Sequence, residues 1–397
     1  MSFQFDALST LLLALLCLLL GIYLKNKIQF FEKFCIPSPV IGGFSASIII
    51  WLLYLSNVEI KFDTALQGPL MIAFFTTVGI GGSYKLLKTG GKALIVYLLV
   101  CWFVALYQNA LGAWLASLLD IHPVLGVMAG AVSLEGGHGA AAAFGKVAEG
   151  LGVDNATSVA ISAATFGLIA GSLLGGPIAN YLIQKHKVAI QAEEIKVDNV
   201  PLSKTGVINT TNFIRSLALI VIIMVIGLYL SGVFTDKTGF ALPSYVGAMF
   251  VAIVFRNIND SIKVVEIKQE TIDLIADVSL GIFLTMAMMN MKIWQITSVA
   301  LPLLIILLLQ VLALIALTVF VVFRLLGKNY DAAVMCGGLI GHGLGATPNA
   351  IANMSSVTEK YKVFSPKAFL IIPLCGAVLI DIVALPWHTW MINFFTK

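Results

Sequence analysis

Two stretches of the sequence combine residue types that a greasy chain has little reason to hold together. "SLEGGHGAAAAFGK" at 133–146 carries glycines, a histidine, a serine and a carboxylate, and "GGLIGHGLGATPNA" at 337–350 repeats its Gly-His-Gly centre. Glycine-broken backbone leaves N–H and carbonyl groups without helical partners. In hydrocarbon each such orphan costs several kcal/mol, so the backbone persists only when buried in protein or lining a polar cavity. A broken tip nevertheless has a chemical use. The N–H groups and positive dipole end of a half-helix meet anions, and exposed carbonyl oxygens meet cations. Two such tips brought together would form one binding site for a charged solute. The competing reading is that glycine and alanine only let helices pack closely. "GAAAAFG" fits either, but Pro348 and the five glycines between 337 and 345 do not make a comfortable spanning helix.

The elements that must position these tips are set by composition. Of 397 residues, 59% are hydrophobic and 11% charged, with a mean hydropathy of +0.98, which excludes a soluble globular chain of this length. Apolar runs long enough to cross ~30 Å of hydrocarbon recur throughout. Ten spans are expected, near 7–24, 38–56, 68–87, 93–119, 155–184, 213–232, 242–257, 274–291, 297–326 and 366–393. The first lacks a basic leader and a small-residue cleavage site, so it is read as a true span. Segments 123–147 and 330–354 are apolar but broken, and do not read as clean spans. The net charge of +4 lies in loops and points to no nucleic-acid partner. Cys17, Cys35, Cys101, Cys336 and Cys375 have no metal-ligand spacing and read as small packing residues. No nucleophile–base or HExxH constellation appears, so an enzyme is not expected.

The halves resemble each other. "IPSPVIGG" at 36–43 answers to "LPSYVGAM" at 242–249, "FFTTVG" at 74–79 to "IFLTMA" at 282–287, and "FGLIAGSLLGGP" at 166–177 to "CGAVLIDIVALP" at 375–386, with the Gly-His-Gly pair in the same order. Residues 1–184 and 213–397 thus form two repeats joined by the polar linker 185–212. Five crossings each is an odd number, so the repeats are inverted, an architecture of many secondary transporters. The cation distribution agrees. With the amino terminus outside, nineteen of the 24 lysines and arginines fall inside, and only Lys61, Lys146, Lys237, Lys292 and Lys397 outside. Both termini are then outside and the linker is cytoplasmic. The fold expected is an all-α integral membrane protein of ten transmembrane helices in two inverted five-helix repeats. Each repeat carries a re-entrant hairpin (123–147 from outside, 330–354 from inside).

"GKNYDAAVMCGGLIGHGLGATPNAIANM" (327–354), "EGGHGAAAAFGK" (135–146) and "ATFGLIAGSLLGGPIANYL" (164–182) closely resemble the glutamate:sodium symporter family, and the resemblance extends over essentially the whole chain, including "NALGAWLASLL" and "DIVALP". It implies sodium-coupled uptake of L-glutamate across the bacterial inner membrane, with Na+ as coupling ion and no other cofactor. It also implies ten spans with two re-entrant loops, and a homodimer moving its site through the lipid bilayer in elevator fashion. Two positions depart from the family pattern: a small residue is usual where Glu135 stands, and an aromatic near His342.

Glutamate carries two carboxylates and an ammonium, and no lysine or arginine sits mid-span to receive it. The candidates that meet its carboxylates are Ser133, Gly136, Gly137, His138 and Gly139 on the first hairpin, and Gly343, Gly345, Thr347, Asn349 and Asn353 on the second. Ser133 and Asn353 could equally cap or back-bond the chain. Asp381, within an apolar run, is costly at that depth and therefore a functional candidate. Its role would be a sodium ligand or the partner of the substrate ammonium, against a structural carboxyl tying two helices. Sodium wants oxygen ligands, by the reasoning that governs other hard cations, so Asp381, Thr347, Thr77 and Thr285 form the candidate metal set. Thr76, Thr77 and Thr285 also have the option of bonding the preceding turn. His138 and His342 suggest either a proton relay or, the reading preferred, hydrogen bonds that shape the hairpins. Glu135 is either an added coupling acid or a residue of the outer vestibule. Within transport, a sodium-coupled di- or tricarboxylate carrier is the closest alternative, and a channel a more distant one.

Overall fold

Apolar runs with helix-start residues in front of them become long helices. The computed structural model describes residues 2–33, 36–83, 91–188, 209–238, 242–290, 299–345 and 347–396. Helix α1 (Ala7–Lys27) opens on Asp6, whose carboxylate accepts from Ser9 N at 2.7 Å, and closes with Lys25 and Lys27 in the last turn, the charge order that its dipole favours. After the short α2 (Gln29–Lys33) come α3 (Ser38–Leu55), α4 (Gln67–Gly81) and α5 (Gly91–Leu118). A helix–break–helix pair follows, α6 (Pro123–Met128) and α7 (Ala131–Leu134) returning through α8 (Gly137–Gly150), and then α9 (Ala156–Lys185).

The same order recurs. It runs α10 (Thr210–Thr238), α11 (Ser244–Ile262), α12 (Gln269–Met289) and α13 (Ala300–Leu317), the last continuing through a π turn to Leu325. A second helix–break–helix pair, α14 (Tyr330–Gly345) and α15 (Thr347–Tyr361), precedes α16 (Pro366–Leu374). A π turn at Cys375–Leu379 leads to α17 (Asp381–Phe395). Pro37 and Pro243 precede α3 and α11 with near-identical backbone, φ −64° and ψ 140° against φ −58° and ψ 139°. Among the described residues seven helices are long and apolar enough to cross a membrane: α1, α3, α5, α9, α10, α12 and α13 with its extension. The chain is therefore a helical, multi-pass membrane protein. Four further differences from expectation appear. α4 ends at Gly81 rather than 87, the first broken pair runs on to Gly150, and the second to Tyr361. The fourth is a small parallel sheet, β1 (Ser2–Phe5) against β2 (Glu59–Phe62), in an otherwise helical chain. Most of linker 185–212 lies outside the described residues.

Two bundles emerge, and neither is a half of the sequence. One contains α1, α3, α4, α10, α11 and α12; the other contains α5, both broken pairs, α9, α13, α16 and α17. Within the first, the halves exchange partners: α3 packs on α12, and α11 on α4. Glycine permits both approaches. A Cβ at Gly43 would lie 2.4 Å from Met288 Cβ, and one at Gly79 2.4 Å from Met249 O. Ser47 Oγ, buried at the first crossing, donates to Met288 O. In the second bundle α9 lies along α14 so closely that a Cβ at Gly167 would sit 2.0 Å from Leu344 O. The bundles themselves touch through α12 with α8, α4 with the π turn, and α11 with α17.

Candidate functional site

Each break places a helix start where the two bundles face each other. In the first pair, Ser133 Oγ donates to Met128 O and so ties α7 back across the gap at Ala129–Gly130. The chain then turns at Gly137, whose φ of +61° is a left-handed conformation that favours glycine. In the second pair α14 ends at Gly345, and α15 restarts at Thr347 with Pro348 in its first turn, where a missing N–H costs nothing. The third wall is the π turn, closed by Ile380 N on Cys375 O at 3.0 Å and held by Trp102 Nε1 on Leu379 O at 3.0 Å. Asp381 begins α17 directly after it.

These ends enclose a cavity of about 200 Å³ lined by Phe74, Phe75, Val78, Glu135, Gly136, Ala140, Thr347, Gly376, Ile380 and Asp381. Both helix breaks and the candidate acid thus share one chamber, walled on its far side by α4 aromatics. The starts of α8 and α15 both reach it, and the π turn that runs on into α17 supplies Asp381. Partial positive charge from these two helix N-termini therefore faces a space with no lysine or arginine in its lining, among the described residues. Such a chamber can hold carboxylates at the helix starts and a cation or ammonium at Asp381. It also resolves the position of Glu135, which faces this interior chamber rather than an outer vestibule and is only 7% exposed.

Other sequence candidates make contacts between or within helices. Asn349 Nδ2 donates to Leu168 O at 2.8 Å and Asn353 Nδ2 to Gly171 O at 2.9 Å, pinning α15 to α9. Gly343 O accepts from Gln108 Nε2 at 3.0 Å, and a Cβ at Gly345 would lie 2.8 Å from Leu168 Cα. Gly139 brings α8 to within side-chain contact of Phe74 and Leu280. Thr76, Thr77 and Thr285 donate to Ile72 O, Phe74 O and Gly281 O at 2.7, 2.6 and 2.7 Å. None of the three threonines lines the cavity, although their lone pairs remain available.

Both histidines have partners. Thr165 Oγ1 donates to Ile161 O at 2.9 Å, so the 3.0 Å contact with His138 requires Nε2–H of the imidazole to be the donor. His342 Nε2 lies 2.8 Å from Tyr97 Oη, and its ring abuts Gly376. A structural role for His138 predicts that His138→Gln, which keeps a donor, retains initial uptake within about threefold of wild type, equivalent to less than ~1 kcal/mol in the barrier. A loss of a hundredfold in proteoliposome uptake would instead mark a proton relay.

Sequence reasoning missed the polar frame behind the tips. Gln310 Nε2 donates to Gln108 O at 2.6 Å, Asn109 Nδ2 meets His388 Nδ1 at 2.8 Å, and Trp387 Nε1 donates to Leu106 O at 3.2 Å. The signal was present in "YQNALG", three polar side chains mid-span, where such groups are expensive unless they bond across helices. A second cavity of about 400 Å³ lies at one end of the bundle interface, with Lys146 Nζ 3.5 Å from Thr64 Oγ1 and 3.4 Å from Gln67 Oε1.

Comparison with known proteins places the chain in a family. A sequence model described as sodium/glutamate symporter matches residues 3–363. The sodium/glutamate symporter of Escherichia coli (strain K12) is 39% identical over 387 residues, covering 96% of both chains. The protein of that name from Haemophilus influenzae is 38% identical over 392 residues, again 96% of each. This chain belongs to the sodium/glutamate symporter family. It is accordingly a transporter rather than an enzyme, and its paired helix breaks lie within the matched region. No lysine or arginine lines the chamber among the described residues, so an anionic group placed there would be met by backbone N–H groups at the two helix starts.

Proposed function

We propose that the chain carries L-glutamate into the bacterial cell across the inner membrane together with sodium, as a secondary symporter. The observation that carries this reading is the chamber of about 200 Å³ in which two helix breaks and Asp381 meet. The glutamate carboxylates engage the N–H groups at the starts of α8 and α15, around Gly136, Gly137 and Thr347. Asp381, with Thr347, takes the sodium ion or the substrate ammonium. The name of the relatives and the acidic, lysine-free lining support glutamate with sodium over a di- or tricarboxylate. Counterflow of radiolabelled glutamate in proteoliposomes tests it. Accumulation that requires sodium and is not matched by citrate or succinate is the expected result.

In this reading the two halves are inverted repeats and the broken pairs are re-entrant hairpins, entering from opposite faces. Support comes from the twofold element order and from how the charge map sorts contacts. Residues assigned outside, among them Thr64, Gln67, Lys146, Asp154, Asn155 and Asn290, surround the larger cavity. Residues assigned inside likewise meet one another: Asn180 accepts from Lys360 and Tyr361 at 2.7 and 2.6 Å, and Ser83 donates to Asp260, which pairs with Arg256. Both termini are then outside. Single cysteines at Asp154 and Lys328 in a cysteine-free background should react with an impermeant maleimide from the outside and the inside respectively. Reaction of both from the same side removes the inverted topology.

The bundle holding both breaks moves as a unit past the other, carrying the chamber between faces. The split into two bundles joined along α12–α8, α4–π turn and α11–α17 supports an elevator of this kind. The other bundle serves as the fixed part and homodimer base, and its repeat-related α1 and α10 leave most of their apolar residues uncovered.

A further inference from the structure

We propose that Glu135 is the ligand of a second sodium ion, bound in the same chamber as the one assigned to Asp381. The proposal rests on the symport reading for the first ion and adds a site that Asp381 alone does not provide. Glu135 lies at the first break, is 7% exposed and lines the chamber, yet among the described residues neither of its carboxylate oxygens has a hydrogen-bond partner. An ionised carboxyl at this burial with no donor carries a penalty of several kcal/mol, which a proton or a bound cation removes, and the test below tells the two apart.

The surroundings favour a cation over a donor side chain. Asn349 Oδ1, on the second broken pair, is also buried and without a partner among the described residues. Its amide nitrogen is bonded to Leu168 O, next to Gly167, where Leu344 O and Leu134 Cδ2 converge at 2.0 and 2.8 Å from a hypothetical Cβ. Leu134 is the chain neighbour of Glu135. Carboxylate and amide oxygens are acceptors only, so orphans of this type call for a hard cation with oxygen preference. Charge arithmetic agrees. Glutamate, Glu135 and Asp381 together bring three negative charges into a chamber lined by no lysine or arginine, and one sodium leaves two of them uncompensated.

The test is the ratio of ²²Na to radiolabelled glutamate entering proteoliposomes, for wild type and Glu135→Gln. The expected result is a ratio lower by about one sodium per glutamate in Glu135→Gln, with a shallower sodium dependence of uptake. An unchanged ratio overturns the site, and so does a variant that loses only its dependence on a pH gradient, which would place a proton on Glu135. Should Glu135→Gln fail to fold, Glu135→Asp keeps the charge on a shorter stem. Sodium titration of its thermal stability in detergent, without glutamate, should shift the midpoint upward severalfold, and an unshifted midpoint overturns the proposal. Sodium-induced stabilisation without any glutamate uptake by wild type would sink the symport reading while leaving the site standing.

Discussion

Asp381→Asn is expected to lower sodium-driven glutamate uptake by about a hundredfold or more while leaving membrane insertion intact. Asp381 starts α17 beside the π turn and faces the chamber shared by both breaks. Asparagine has nearly the same shape, so the packing of Ile380 and Gly376 need not change. What disappears is a full negative charge in a site whose other charged lining residue is Glu135. Removing one partner of a buried charge pair typically costs 3–5 kcal/mol, on the order of 10²–10³ in an equilibrium constant. Loss of uptake alone would fit a structural carboxyl as well, so the sodium and glutamate titrations are the decisive readings. If Asp381 holds sodium, residual uptake in Asp381→Asn should lose its steep sodium response; if it holds the ammonium, the KM for glutamate should rise while the sodium response stays steep. A variant with unaltered sodium dependence and an unaltered KM for glutamate would show that Asp381 only ties helices together.

Gly167→Val is the second large effect, and it concerns folding. A Cβ at Gly167 would stand 2.0 Å from Leu344 O and 2.8 Å from Leu134 Cδ2. The first obstacle is backbone of α14, which cannot swing aside as a side chain can. Separating α9 from α14 would also stretch the Asn349–Leu168 and Asn353–Gly171 hydrogen bonds. Overpacking costs about 1–3 kcal/mol and occasionally more, and the coupled hydrogen bonds put this case at the upper end. Gly167→Val should therefore reach the membrane poorly or unfold in detergent many degrees below wild type. Gly232→Val, at a glycine inside α10 with nothing within 4 Å, is the matched control and should unfold near the wild-type temperature.

How much of this was legible in the residues depends on distance along the chain. The helix breaks were readable because glycine and proline act locally: Gly137 and Pro348 mark the restarts of α8 and α15 within a residue. Asp381 stood out because a carboxylate inside an apolar run is costly at that depth, and the structure places it on the chamber lining. The α4 wall was not readable, since Phe74, Phe75 and Val78 look like any lipid-facing triplet until α4 is placed against the breaks. The same holds for Gln108, Asn109, Gln310 and His388, whose partners are up to 279 residues away. Short strands such as "SFQF" and "EIKF" fall below any periodicity test, and only their pairing identifies them. Gly167 reads as one more small residue in a transmembrane helix, and only the carbonyl beside it shows that no larger residue fits.

The exchange of partners between α3 and α12, and between α11 and α4, bears on biosynthesis. When the ribosome has finished the first 184 residues, the faces around Gly43 and Gly79 have nothing to cover them, because their mates are still unmade. The amino-terminal portion must wait in the lipid, half-assembled and open to chaperones or proteases, until α11 and α12 arrive. Severing the gene between α9 and α10 and expressing the fragments together should then yield working carrier, whereas either fragment alone should be degraded.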